Sequence, residues 1–207
     1  MSNVFYKIVR NVGSAIFALS SRPVVIGLEH VPTAGPFILA STHLSAYDEP
    51  LLIRHTPRPL DFVSTTEVFR NRFAAWFYGN MNAFPLERSR PDARTVRIIL
   101  ERLRDGRAIA MFPEGAIRSE GDSVISTRRI RPGLGRLAGI AKVPVVPCVV
   151  LNSGAYRRAG SWLPLRRVRY GLIYGPPLAP IQNPERLESD YILETLRLHT
   201  ILSESLR

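Results

Sequence analysis

Residues 38–52 read ILASTHLSAYDEPLL, a stretch that opens as an apolar strand and closes as a helix. The unbroken apolar start suits a strand covered on both faces. Asp48 and Glu49 suit the first turn of a helix over 49–55, where carboxylates meet the positive end of the helix dipole. A strand that passes through a short turn into a helix is the repeating unit of α/β folds, and such folds place their sites at strand ends. The turn carries His43 and, five residues on, Asp48. A carboxylate that accepts a hydrogen bond from one imidazole nitrogen fixes the tautomer and leaves the other nitrogen to take a proton. Taken alone, the spacing equally suits a histidine ending a strand and an aspartate favoured by the helix dipole.

Outward from this stretch the same alternation continues. Apolar runs at 24–28, 37–41, 60–64, 108–112, 143–151 and 168–175 read as strands. Helical patterns lie between them near 49–55, 66–79, 92–104, 133–141 and 185–204. In 92–104, Val96, Ile99, Leu100 and Leu103 share one face with arginines elsewhere. The expected class is α/β: a mixed, mostly parallel sheet flanked by helices. Before it, Val4, Phe5, Ile8, Val9, Val12, Ile16 and Leu19 recur at helical spacing, with Lys7, Arg10, Asn11 and Ser14 largely opposite. Residues 1–21 therefore read as an N-terminal amphipathic helix and 22–207 as one domain. The longest apolar run in that helix, AIFAL, falls far short of the ~20 residues a membrane-spanning helix needs. Its apolar face suits either a contact with the domain or a place in the membrane interface.

Composition narrows the function. Among 207 residues, 28 Lys and Arg oppose 17 Asp and Glu for a formal net charge of +11, and Lys7 and Lys142 are the only lysines. A phosphate-bearing partner fits that balance, whether nucleic acid, anionic membrane or a small phosphorylated ligand. The aromatic residues are scattered and no nucleic-acid recognition motif is present, so no nucleic acid is expected. Cys148, the single cysteine, sits in an apolar run, which leaves no disulfide framework. The four histidines lack zinc-site pairings, and no metal is expected. GLGRLAG over 133–139 only approximates a dinucleotide fingerprint, and no strand precedes it.

Further motifs stand in a fixed order. FPLER ends in Arg88; FPEG follows, with Glu114, Gly115 and then Arg118 in PEGAIRS; RIRPGLGR contains Arg131; VPVVP contains Pro144. With HLSAYD at 43–48, these resemble the four successive blocks of the 1-acylglycerol-3-phosphate acyltransferase (lysophosphatidic acid acyltransferase) family. The blocks span 43–147. The family commonly reads PEGTRS, whereas PEGAIRS lacks the threonine and moves the arginine by one place. A lysine frequent before the next glycine of the family appears here as Arg131.

The resemblance implies that His43 is the general base, held by Asp48, for attack of an acceptor hydroxyl on a fatty acyl thioester. It implies that Arg88, Glu114, Gly115, Arg118 and Arg131 bind the glycerol phosphate, and that the strand around Pro144 shapes an acyl pocket. A thioester is already activated, so an alcohol needs a base but no enzyme nucleophile, and neither a reactive cysteine nor a GxSxG elbow is required. No cofactor is implied; acyl-CoA or acyl-carrier protein enters as co-substrate. The lysophospholipid acceptor lives at a bilayer, which implies a peripheral enzyme on an anionic membrane surface at the cytoplasmic face. The same chemistry also suits another lysophospholipid, a glycolipid or an amine as acceptor.

Overall fold

The computed structural model of the chain describes residues 3–86, 93–164 and 167–207. In chain order the strands are β1 (Ser21–Ile26), β2 (Phe37–Ser41), β3 (Leu60–Thr65), β4 (Phe84–Leu86), β5 (Ala108–Met111), β6 (Val145–Leu151) and β7 (Val168–Tyr174). The helices are α1 (Asn3–Ser20), α2 (Asp48–His55), α3 (Arg72–Asn80), α4 (Ala93–Arg104), α5 (Val124–Thr127), α6 (Leu134–Ala141) and α7 (Pro184–Ser205). Among the described residues one seven-stranded sheet forms, in the order β1-β7-β6-β2-β5-β3-β4. All neighbours run parallel except β6 and β7, so the sheet is mixed and mostly parallel, as expected.

β2 lies at its centre, and all five of its residues are buried. Because successive side chains point to opposite faces, Phe37 and Leu39 join one core layer while Ile38 and Ala40 join the other. The first layer packs under α1 and α2 through Phe17, Leu51 and Leu52. The second packs under α4, α6 and α7 through Ile99, Leu103, Leu134, Leu137, Leu187 and Tyr191. Burying a single side chain of this size stabilises by about 1.5–3 kcal/mol, so both covers are needed to keep β2 dry.

Several elements depart from the pattern read along the chain. The helix expected over 66–79 is broken: a 3-10 turn over Thr66–Phe69 precedes α3. Asn71 caps α3, its side-chain oxygen accepting the N–H groups of Phe73 at 2.9 Å and Ala74 at 3.1 Å, as helix-starting asparagines do. β4, only three residues long, escapes the strand pattern. Its Pro85 is tolerated because β4 is an edge strand. In α4 the inward stripe is Thr95, Ile99 and Leu103, while Val96 remains exposed.

α1 does two things at once. Tyr6 is buried and its hydroxyl accepts the Leu60 N–H at 3.2 Å. Phe17 is buried against Tyr156 and Trp162. On the other arc, Val4, Ile8, Val12, Ile16 and Leu19 are all about half exposed or more, between 49% and 64%. The apolar arc is thus wider than one contact can cover. Among the described residues no helix is long and apolar enough to cross a membrane.

Candidate active site

β2 and β6 pair in parallel with Ser41 beside Cys148. Thr42 locks their ends together: its N–H donates to the Cys148 carbonyl at 3.2 Å, and its hydroxyl accepts the Val150 N–H at 3.1 Å. The chain after β2 and the chain after β6 therefore emerge at the same edge of the sheet.

His43 begins the turn after β2 and is 8% exposed. Asp48, fully buried in the first turn of α2, is surrounded by donors. Its Oδ2 accepts the N–H groups of Leu44 at 2.8 Å and Ser45 at 2.9 Å, and stands 3.1 Å from His43 Nδ1. Its Oδ1 accepts the Ser153 hydroxyl at 2.5 Å. Two backbone amides and a hydroxyl supply the charge-assisted bonds that a buried carboxylate requires. Asp48 as hydrogen-bond acceptor puts the proton of His43 on Nδ1 and leaves Nε2 as the basic nitrogen.

The Phe-Pro-Glu-Gly turn at 112–115 closes over this pair from the end of β5. The Phe112 ring stacks on the His43 imidazole, with centroids 3.8 Å apart and planes 12° off parallel. Glu114 Oε1 accepts the His43 N–H at 3.4 Å, and the Arg118 N–H donates to the His43 carbonyl at 2.8 Å. Glu114 is 3% exposed, and burial raises its pKa above the usual carboxylate value. Its Oε2 has no hydrogen-bond partner among the described residues. Gly115 has a φ of +74°, and a Cβ there would meet the Arg131 side chain at 2.5 Å. Arg131 is tied to the same turn by its N–H, which donates to the Pro113 carbonyl at 2.8 Å.

Two hollows flank the histidine turn. One, of about 260 Å³, is lined by Glu114, Arg118, Asp122, Thr127, Arg129, Ile130 and Arg131. Three guanidinium groups there suit an anion with several oxygens. The other, of about 210 Å³, lies between α1, α2 and α3 and is mainly apolar, with Val9, Phe17, Ile53, Phe62, Phe77 and Met81 in its wall. Ala46 and Glu49 of the histidine turn and its helix also line it. Burial raises the Glu49 pKa, so this carboxyl is easier to keep neutral than an exposed one.

Of the residues singled out in the sequence, His43, Asp48, Glu114, Gly115, Arg118 and Arg131 meet at this edge. Arg88 lies outside the described residues. Pro144 is elsewhere: its carbonyl accepts the Ile38 N–H at 3.0 Å at the beginning of β2. His43 follows five residues later, a distance of roughly 17 Å along a strand. Parallel pairing of β2 and β6 puts Pro144, immediately before β6, at the opposite end of these strands from His43. Phe112, Arg129 and Ser153 were not expected. Phe112 adjoins the Pro-Glu-Gly turn and was within reach of a local reading, whereas nothing near Ser153 in sequence points to Asp48.

Cys148 is fully buried and burial pushes its thiol pKa up, which fits an inert core residue. Among the described residues no group of three or more His, Cys, Asp or Glu side chains is placed to hold a metal ion.

Comparisons with known proteins bear on the family and the fold. A family model described as Acyltransferase matches residues 22–151. The 1-acyl-sn-glycerol-3-phosphate acyltransferase of Bacillus subtilis (strain 168) is 26% identical over 189 residues, covering 88% of this chain and 89% of that protein. The protein of the same name from Streptococcus pneumoniae (strain ATCC BAA-255 / R6) is 26% identical over 144 residues, 69% of this chain and 50% of that protein. The crystal structure of the 1-acyl-sn-glycerophosphate (LPA) acyltransferase, PlsC, from Thermotoga maritima superposes with a TM-score of 0.74 at 23% identity, covering 95% of this chain and 79% of that one. The two share a fold.

Proposed function

This chain belongs to the acyltransferase family, and on that premise we propose that it moves a fatty acyl group from an acyl thioester to the free hydroxyl of 1-acylglycerol-3-phosphate, giving phosphatidic acid. The observation that carries the reading is the His43–Asp48 pair, bonded through the His43 backbone to Glu114 and Arg118 of the arginine-lined hollow and flanked in sequence by Ala46 and Glu49 of the apolar one.

In this mechanism His43 Nε2 takes the proton of the acceptor hydroxyl as its oxygen attacks the thioester carbonyl. The new carbon–oxygen bond forms, the carbon–sulfur bond breaks, and the proton passes from His43 to the departing thiolate. Asp48 stabilises the imidazolium that exists between these events, and it does so without itself being protonated. A positioned base of this kind contributes about 10²- to 10⁴-fold in rate. Arg118, Arg129 and Arg131 receive the phosphate of the acceptor, with Glu114 and Gly115 shaping the turn beneath it. Arg88 is assigned to the same phosphate by the family motif alone. The acyl chain of a substrate enters the apolar hollow between α1, α2 and α3.

Both substrates are amphiphiles, so the enzyme works at a bilayer, peripherally and on the cytoplasmic face where acyl-CoA or acyl-carrier protein is met. The exposed stripe Val4, Ile8, Val12, Ile16 and Leu19 of α1 supports this. Phe73 and Trp76 of α3, also exposed, extend it, and the Phe5 and Trp76 rings stand 5.2 Å apart. An apolar surface of this kind, with Lys7 exposed beside it, fits an anionic membrane interface.

The test is incubation of the purified protein with a radiolabelled acyl thioester, offered as acyl-CoA and as acyl-carrier protein, and 1-acylglycerol-3-phosphate beside other lysolipids, glycolipids and amines. Phosphatidic acid as the main product is expected. A main product from another acceptor removes the acceptor assignment, and no acyl transfer to any acceptor removes the whole reading.

A further inference from the structure

We infer that Ser153 is a positioning residue for the histidine–aspartate pair: its hydroxyl clamps Oδ1 of Asp48 and so holds Oδ2 where His43 Nδ1 needs it. The inference rests on the proposed role of His43 as base.

The four bonds to Asp48 divide unequally. Oδ2 takes two backbone N–H groups and faces Nδ1, whereas Oδ1 takes the Ser153 hydroxyl alone among the described residues. The bonds at Oδ2 all come from residues 43–45, which belong to the turn that Asp48 itself closes. Among the described residues, Ser153 makes the one hydrogen bond to the Asp48 carboxylate that arrives from another part of the fold. It follows β6 directly, and Asn152 before it adopts a left-handed conformation, φ 62°, that turns the chain at that point. Ser153 is 2% exposed and its bond of 2.5 Å is short, as bonds from a hydroxyl to a carboxylate are.

Without that hydroxyl, a fully buried carboxylate oxygen keeps its charge but loses its partner. Such an oxygen is costly to leave unpaired, and the group relieves the cost by turning about its Cβ–Cγ bond or by binding a proton. Either response loosens the tie to Nδ1. Ser153 lines neither hollow, so its loss acts on the chemical step and leaves substrate binding alone.

The experiment is steady-state kinetics on Ser153→Ala, Ser153→Thr and Ser153→Cys, each also combined with Asp48→Asn, with His43→Ala as a reference. Ser153→Ala is expected to lower kcat by about 10- to 100-fold, the worth of a hydrogen bond to a charged group, with the KM of each substrate unchanged. Ser153→Thr, which keeps the hydroxyl, is expected to recover most of the loss. In the Asp48→Asn background Ser153→Ala is expected to cost nothing more, because the two act as one unit. Wild-type kcat in Ser153→Ala, a threonine variant as slow as the alanine one, or a full additional loss on top of Asp48→Asn each overturn the inference. If Ser153→Ala does not fold, Ser153→Cys decides: its weak donor must still lower kcat, and wild-type kcat there is the overturning result. An active His43→Ala removes the base reading itself, while an inactive His43→Ala beside a fully active Ser153→Ala removes only the role of Ser153.

Discussion

Arg131 occupies the space that a side chain at Gly115 would need: a Cβ at 115 would lie 2.5 Å from both Cδ and Nε of Arg131. The glycine also holds a φ of +74°, which costs a residue with a Cβ roughly 1–2 kcal/mol. Gly115→Ala is therefore expected to destabilise the fold by that order and to push Arg131 away from the arginine-lined hollow. Its KM for the acceptor should rise more than its KM for the thioester. Substrate titrations against each partner read this directly, and equal changes in both would separate Arg131 from the phosphate.

His43→Ala is expected to reduce turnover by about 10²- to 10⁴-fold, while circular dichroism and the melting temperature stay close to those of the parent. The backbone of His43 is held by the Glu114 carboxylate and the Arg118 N–H, and alanine keeps both contacts. A purified His43→Ala protein with nearly full turnover would end its assignment as the base.

Asp61 is a structural counterpart to Asp48. Its buried carboxylate accepts from Arg102 at 2.8 Å and Arg107 at 2.6 Å. Arg102 also donates to the Asn82 carbonyl and lies over the Phe84 ring. Asp61→Ala leaves these cations without their shared partner. Breaking a fully buried pair costs about 3–5 kcal/mol; the arginines here retain some water contact, which lowers the expectation to about 2–3 kcal/mol. Urea unfolding measures it, and a change below about 0.5 kcal/mol, the range of ordinary surface substitutions, would show that the cluster is decorative.

His55 makes stability depend on pH. Its pKa is lowered to about 4, first by burial and then by the charges of Arg54 and Arg10, and its Nε2 lies 2.8 Å from the Tyr170 hydroxyl. A histidine whose folded pKa is depressed contributes stability that is complete above the unfolded value near 6.5 and is lost as pH falls toward 4. Solvent contact at the partly exposed ring keeps the loss below about 3 kcal/mol. Glu49 and Glu114 act in the opposite sense, since burial raises their pKa and their contribution is lost as pH rises through it. The difference between melting temperatures of parent and His55→Gln across pH 4–7 isolates His55. Its gap should change steadily below pH 6.5, and a constant gap would contradict the assignment.

Val12 and Ile16 lie on the exposed arc of α1, so charges placed there disturb no core contact. Val12→Asp with Ile16→Asp is expected to leave melting unchanged and to weaken binding to anionic phospholipid vesicles by at least about tenfold, since each apolar side chain withdrawn from water is worth about 1.5–3 kcal/mol. Vesicle sedimentation with parent and variant is the measurement, and undiminished binding would move the membrane contact elsewhere.

The strand–turn–helix around His43 was legible in the sequence because everything it needs lies within fifteen residues: a buried apolar run, a turn, and an acidic first helical turn. The same locality made Glu114 and Gly115 legible as one tight turn and the alternation of strands and helices legible as an α/β sheet. Pairings between distant segments were not. Ser153 reaches Asp48 across 105 residues, and Pro144 falls at the far edge, because strand order and direction decide which ends of β2 and β6 coincide. Only the tertiary structure decided which arc of α1 is packed, since an apolar side chain carries the same periodic signal whether its neighbour is a core residue or nothing. Periodicity reports how a segment meets an apolar surface; which surface that is depends on chain closure over long separations, and local sequence does not record it.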